Sequence, residues 1–304
     1  MVADSVFAVS CPERRALRSV GPIILLVANT GVGQIITENA GVVSPETPAL
    51  REFFSFEETE NLLDLRLNHQ LLLGSDPRTE LRVTVPTILS RRATFTDRFG
   101  RSNTAEMAGL GDVSLRMKYS LYQLDDVMES TRWAALAELV VPTGEDDERQ
   151  GGVRLPRRLQ PGTGSWGYGA GAAFTVIRDR HRFSTDLIYR HRTRHEGFRP
   201  GPSLHWDLAY WYRLAPAEHP RPEVEVMEVR GVIELLNEYR FESSLDGSGA
   251  NDQGYQLWLA PGIQVYPRRD LLFEASFQIP AVQTIDDAVG DRRWRFLLAV
   301  KILF

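Results

Sequence analysis

The side chains best able to do chemistry lie close together in Tyr189-Arg190-His191-Arg192-Thr193-Arg194-His195, with Asp186 just upstream. A hydrolase needs a nucleophile, an imidazole base and a group that orients the base. Imidazoles interleaved with arginines fit a charged rim, such as a lipopolysaccharide contact, better than that arrangement. As metal ligands His191 and His195 would need a third partner, and the sequence identifies none. Glu145-Asp146-Asp147-Glu148 forms an acidic run, read as a solvated loop tip with divalent-cation binding as the alternative. Cys11 is the lone cysteine, so no intrachain disulfide forms, and no Cys/His spacing resembles a zinc site. These features point to a chain that is not an enzyme and carries no cofactor or metal.

A different chemistry runs through the whole chain. Val113, Leu115, Met117, Tyr119 and Leu121 alternate with Asp112, Ser114, Arg116, Lys118 and Ser120. The same period of two recurs around Leu63–Leu73, Leu81–Val85, Phe183–Tyr189, Leu204–Tyr212, Leu271–Ile279 and Phe296–Phe304. Such alternation means strands with one apolar and one polar face. The polar faces carry Arg66, Arg82, Asp112, Arg116, Lys118, Arg132, Glu138, Asp186, Arg190, Asp207, Glu234, Glu274, Arg295 and Lys301, the candidates to line an interior passage. Mixed charge on a wall of this kind biases which solutes enter.

Composition narrows the setting. The chain has 304 residues, 25% charged and 43% hydrophobic, with net charge -5 and pI ≈ 5.8. No basic cluster suggests nucleic acid as a partner. No apolar stretch reaches the ~20 residues of a membrane helix. A mean hydropathy of -0.24 is compatible with a membrane barrel, whose strands are only half apolar.

Loop lengths then separate three all-β folds. Tight turns at 75–78, 178–180 and 267–270 alternate with longer connections at 90–109, 142–164, 242–254 and 281–293. The strands exceed the ~5–6 residues usual in soluble sheets, which argues against a sandwich. A lipocalin-like barrel would put apolar residues inside and polar ones outside, leaving the frequent charges beside Trp206, Tyr210, Tyr212 and Phe277 unexplained. An up-and-down transmembrane antiparallel β-barrel expects this pattern, with short turns at one rim and long loops at the other. Eleven strands are countable from residue 62 onward. Single-chain bacterial barrels have an even number with both termini on the periplasmic side, so a further strand must precede Leu62. The stretch Arg51–Phe56 is preferred to Gly33–Thr37, for a total of about twelve.

The domain organisation follows: 45–304 forms one barrel, and 1–44 is a signal-like or unstructured segment. Arg14, Arg15 and Arg18 precede the apolar Ile23–Ala28 and the small-polar Asn29-Thr30-Gly31, the order of a secretory signal peptide without a clear cleavage site. Ala8-Val9-Ser10-Cys11 faintly resembles a lipoprotein cleavage site. Gly167, Gly169 and Gly171 share one face of a strand opposite Trp166, Tyr168, Ala170 and Ala172. Facing inward, these glycines would leave room for an inward-folded segment or a solute. Their alternative role is to bend the strand for closure.

Family resemblance enters through particular motifs. Phe304, after alternating Phe296, Leu298, Val300 and Ile302, resembles the C-terminal assembly signal of outer-membrane proteins. Gly109-Leu110-Gly111-Asp112-Val113 leading to Lys118-Tyr119, then Leu139-Val140-Val141-Pro142-Thr143-Gly144 and Pro161-Gly162-Thr163-Gly164-Ser165, is similar to landmarks of the family named for the meta-pathway of phenol degradation. The resemblance covers roughly residues 60–304. It implies a bacterial outer-membrane, porin-like transporter for passive passage of small aromatic molecules, while the slight basic excess on the polar faces favours anionic ones. The implied partners are outer-membrane lipid and lipopolysaccharide, the barrel-assembly machinery that reads Phe296 and Phe304, and a small-molecule solute. A structural or adhesive barrel without transport and an outer-membrane hydrolase stand as the competing functions.

Overall fold

The computed structural model describes residues 36–96, 102–126, 129–150, 153–155, 157–217, 226–285 and 290–304. The signal-like residues 14–31 and Cys11 lie outside them. In chain order the long strands are β1 (Ala49–Thr59), β2 (Leu62–Asp76), β3 (Thr79–Thr96), β4 (Ser102–Leu110), β5 (Val113–Asp125), β6 (Glu129–Val141) and β7 (Gly167–Arg178). They continue with β8 (His181–Arg192), β9 (Ser203–Ala215), β10 (Glu228–Arg240), β11 (Gly254–Arg268), β12 (Leu271–Gln283) and β13 (Arg292–Leu303). Each pairs antiparallel with its neighbours, and β1 pairs with β13 through Phe54↔Leu298 and Phe56↔Phe296, which closes the sheet. β4 and β5 both pair with β3, on its two halves, so thirteen strands make twelve staves. The missing first stave is the segment around Arg51–Phe56, as strand parity requires. Closure leaves no edge carrying unpaired backbone groups in the membrane.

One expectation needs correction. The 90–109 connection is not a loop: β3 runs on to Thr96 and β4 occupies Ser102–Leu110. The ladder register shifts near Leu89 and Ser90. A bulge there changes which face each side chain takes. Beyond it the hairpin carries exposed Arg92 and Glu106, paired at 2.6 Å, where lipid-facing side chains would be apolar.

The outer wall shows why the rest of the alternation was legible. Trp133, Tyr119, Tyr122, Phe183 and Tyr210 face outward toward the short-turn rim. Trp166, Tyr168, Tyr189, Trp206 and Tyr239 face outward toward the long-loop rim. Aliphatic side chains including Leu115, Leu187 and Ile233 are exposed between them. An apolar band between two aromatic girdles is the surface of an outer-membrane barrel, and its short turns mark the periplasmic rim.

Candidate functional site: a lumen crossed by the chain's own segment

Residues 36–44 form no ladder and lie inside the barrel. Five backbone N–H groups of this segment are donated to side chains of the wall. Ile36 and Thr37 donate to Glu234 Oε1 on β10, at 3.1 and 2.8 Å. Glu38 donates to Asp186 Oδ2 on β8 at 2.6 Å, and Ala40 to Thr175 Oγ1 on β7 at 2.9 Å. Val43 donates to Glu80 Oε2 on β3 at 3.0 Å. Buried backbone donors need partners, and here the lumen wall supplies what a ladder would. The acceptors belong to staves around the circumference, so the segment spans the passage.

The Glu38 side chain turns toward β3 and β5. Arg82 Nη1 lies 2.5 Å from Glu38 Oε1, Lys118 Nζ lies 3.7 Å from Oε2, and Arg116 also bonds the carboxylate. Arg116 bonds Glu138, which receives Arg190 Nε at 3.0 Å. Glu80 receives Arg82 at 2.9 Å and Lys118 at 3.4 Å, while Lys118 also donates to the Asn39 carbonyl at 3.3 Å. Glu38, Arg82, Lys118 and Glu80 are all nearly buried. Charges removed from water in this way need each other: breaking one such pair costs about 3–5 kcal/mol. Apolar contacts add to the hold. Ala40 packs on Ala134, Leu136, Ala173 and Ile188, and Ile36 packs against Trp211, Val232 and Leu297.

The other charges expected on the polar faces pair locally. Asp186 and Asp207 are cross-strand partners. Glu274 receives Arg51 Nε at 3.0 Å and Gln264 Nε2 at 2.8 Å. Arg66 bonds Asp64, which Arg91 reaches at 3.1 Å. Arg295 bonds Glu57 at 3.1 Å and stacks over Trp258 at 4.7 Å. Arg132 bonds Asp125 near the periplasmic rim, and Lys301 is buried on β13. Asp112 sits at the outer rim between β4 and β5, receiving Gly144 N at 3.2 Å, Thr163 Oγ1 at 2.6 Å and Arg192 at 3.4 Å.

The inward glycines serve that network. A Cβ on Gly169 would lie 3.1 Å from Glu138 Cβ and 3.5 Å from Arg190 Cγ, so the missing side chain leaves room for the Glu138–Arg190 pair. A Cβ on Gly171 would lie 2.9 Å from Ile188 Cα. At the outer mouth the 142–164 connection folds inward. Its Leu155 and Leu159 are buried with Ile88, Ala93 and Met107, and Arg91 donates to the Gln160 carbonyl at 3.0 Å. A cleft of about 220 Å³ remains there, bordered by Asp146, Arg154, Arg157, Phe198 and Arg240. The histidines do not form an open basic rim as a unit. His195 Nε2 lies 2.6 Å from Asp146 Oδ2, tying two outer connections together, and Arg192 turns toward Asp112.

Sequence reasoning missed Glu38, Thr175 and Arg51 on the inside, and a polar chain on the outside. Glu52 Oε2 lies 2.6 Å from His69 Nδ1, and His69 Nε2 lies 3.3 Å from Thr87 Oγ1, all three facing outward. Among the described residues no group of three or more His, Cys, Asp or Glu is arranged to hold a metal ion.

Comparison with known proteins agrees with this architecture. The family described as "Putative MetA-pathway of phenol degradation" matches residues 54–223, more than half of the chain. The COG4313 outer membrane channel from Pseudomonas putida F1 has the same fold, with a TM-score of 0.67, 12% identity, and coverage of 89% of this chain and 100% of that one. The NanC porin gives a TM-score of 0.46 at 12% identity over 83% and 98% of the two chains. The beta domain of the Bordetella autotransporter BrkA gives 0.44 at 12% identity over 85% and 99%. No curated protein matches the chain.

Proposed function

The chain belongs to that family of outer-membrane barrels, and from this premise we propose that it is a channel for passive passage of small molecules, held here in its closed state. The observation that carries this reading is the 36–44 segment. It blocks a charged, hydrogen-bonding lumen yet forms no strand ladder with the wall, its backbone N–H groups going to wall side chains, so it can leave without unzipping a strand. The segment is the gate, and Arg82, Arg116, Lys118, Glu138, Asp186 and Glu234 are residues a solute meets once it withdraws. A wall of this polarity suits anionic or polar solutes, including aromatic acids, better than purely apolar ones. Planar-bilayer recordings test the reading. A variant lacking residues 36–44 should conduct several-fold more than the parent. Equal, negligible currents from both folded proteins would favour a structural barrel.

The same reading makes the protein no enzyme. Glu52, His69 and Thr87 stand in the order of a carboxylate–imidazole–hydroxyl relay. However, Thr87 pairs with Leu67 on one side and Leu110 on the other, so its strand offers no pair of free N–H groups to a developing oxyanion. These three side chains lie in contact with one another on the outer wall. A fluorophosphonate probe, which labels activated hydroxyls, should leave Thr87 unmodified.

Assembly belongs to the proposal as well. Phe304 is exposed, and its N–H donates to the Pro48 carbonyl at 2.9 Å beside the closing strand pair. Phe296 faces Phe56 and Phe277 on the outer wall. The two aromatics form the signal read by the barrel-assembly machinery.

A further inference from the structure

Arg182 on β8 is more than nine-tenths buried, yet among the described residues no carboxylate or hydrogen-bond acceptor meets its guanidinium. Its one close partner is the ring of Trp211, 4.9 Å from the guanidinium carbon. Trp211 is its cross-strand neighbour on β9, is 1% exposed, and buries an indole N–H that also has no acceptor. Two orphaned donors thus lie side by side on adjacent staves. Leaving a charged donor buried and unmade is expensive, so the pair calls for an acceptor that none of the described residues supplies.

The surrounding charges specify its sign. The nearby cations each have a carboxylate of their own: Arg132 has Asp125 at 2.9 Å, Arg213 has Asp179 at 3.4 Å, and Arg230 has Glu228. Arg230 also stacks on Tyr266 at 4.7 Å. Glu274, a further acid near enough to act on Arg182, is taken by Arg51 and Gln264. Four cations against three carboxylates leave one positive charge over, the one on Arg182. The hydroxyls of Ser184 and Thr175 bond each other at 2.8 Å, and Thr175 also receives the Ala40 N–H, so both are engaged on the segment rather than on the guanidinium.

We infer that Arg182 and Trp211 form a binding subsite for a small monoanion of the carboxylate class, on the periplasmic side of the 36–44 segment. One carboxylate oxygen accepts from guanidinium N–H groups and the other reaches the indole N–H. Such a bridge satisfies both orphans and closes the charge count. The subsite lies just inside the tight β7–β8 turn, so a solute released by the gate would meet it last before the periplasm. That role in passage rests on the channel reading. Binding itself does not.

Equilibrium dialysis of the folded full-length protein in detergent provides the test, with benzoate as probe and benzamide as its neutral counterpart. Benzoate should bind saturably at one site and benzamide should not. Arg182→Gln should weaken benzoate about tenfold or more, with Arg182→Lys recovering part of the loss, while heat-modifiability on gels confirms that each variant is folded. Equal uptake of benzoate and benzamide, or a folded Arg182→Gln protein that binds benzoate as the parent does, would overturn the inference. Selective binding by a barrel that passes no solute would uphold the subsite and remove the channel reading. Conduction without benzoate selectivity would do the reverse.

Discussion

Glu38, on a segment with no place in the sheet, meets Arg82 of β3 at 2.5 Å, with the two side chains 3% and 7% exposed. Its own N–H simultaneously reaches Asp186 of β8 at 2.6 Å. One residue therefore joins two separate staves of the lumen wall. Replacing Glu38 by Gln keeps the shape but removes the carboxylate shared by Arg82, Arg116 and Lys118, leaving Arg82 and Lys118 to Glu80 and Arg116 to Glu138. The loss should be about 1.5–3 kcal/mol of closed-state stability, read as a roughly ten- to hundred-fold shift of the closed-to-open equilibrium in bilayers. Unchanged gating would remove Glu38 from the latch.

The glycine face gives a stability prediction. Gly171→Ala places a methyl against Ile188 and the Leu187 backbone. Overpacking of this kind costs about 1–3 kcal/mol, so the gel transition from folded to unfolded barrel should move to lower temperature. Gly169→Ala, whose nearest neighbour is the Glu138 Cβ at 3.1 Å, should shift it less.

The outer connections predict a pH response. Glu196 receives Arg154 at 2.6 Å, and Arg157 donates to its carbonyl at 2.7 Å. The Arg154 hydrogen bond, followed by the charges of Arg154, Arg157 and His195, holds the Glu196 carboxyl below the usual carboxylate range. A group depressed in the folded state stabilises above its unfolded pKa and loses that contribution as pH falls through the folded value. The tie should thus be complete at neutral pH and released below about pH 4. A spin label at Arg199 should gain mobility over that range, and Glu196→Gln should be mobile throughout. Mobility independent of pH would contradict the assignment.

Assembly supplies a fourth expectation. Deleting Phe304 should lower the amount of folded barrel in the outer membrane more than it lowers stability after refolding in detergent. Equal losses in the two measurements would make Phe304 a packing residue only.

Much of the barrel was legible because lipid and lumen impose opposite demands on neighbouring residues. Wherever both media are present, as along Val113–Leu121, the period of two is clean. Parity located β1 although its outward Glu52 breaks the apolar face. The β3–β4 hairpin escaped because a bulge near Leu89 changes the phase, and because Arg92 and Glu106 face water beyond it. The lumen charges could be listed but not paired, since pairing depends on register and tilt. Residues 36–44 left no pattern at all. Their bonds reach partners as far as 198 positions away, from Ile36 to Glu234, and a segment held by its backbone N–H groups needs no particular side-chain period. Glu38 was visible only as one acid in a polar run.

The central claim is that withdrawal of residues 36–44 opens the lumen. A disulfide between Ala40→Cys and Ala173→Cys, two side chains of one buried cluster, would lock the segment in place, with Cys11 replaced by Ser to leave a single pair. Single-channel recording before and after reduction tests the claim directly. The account predicts a closed barrel while the bond is intact and restored openings once it is reduced. Full conductance with the bond intact would contradict it.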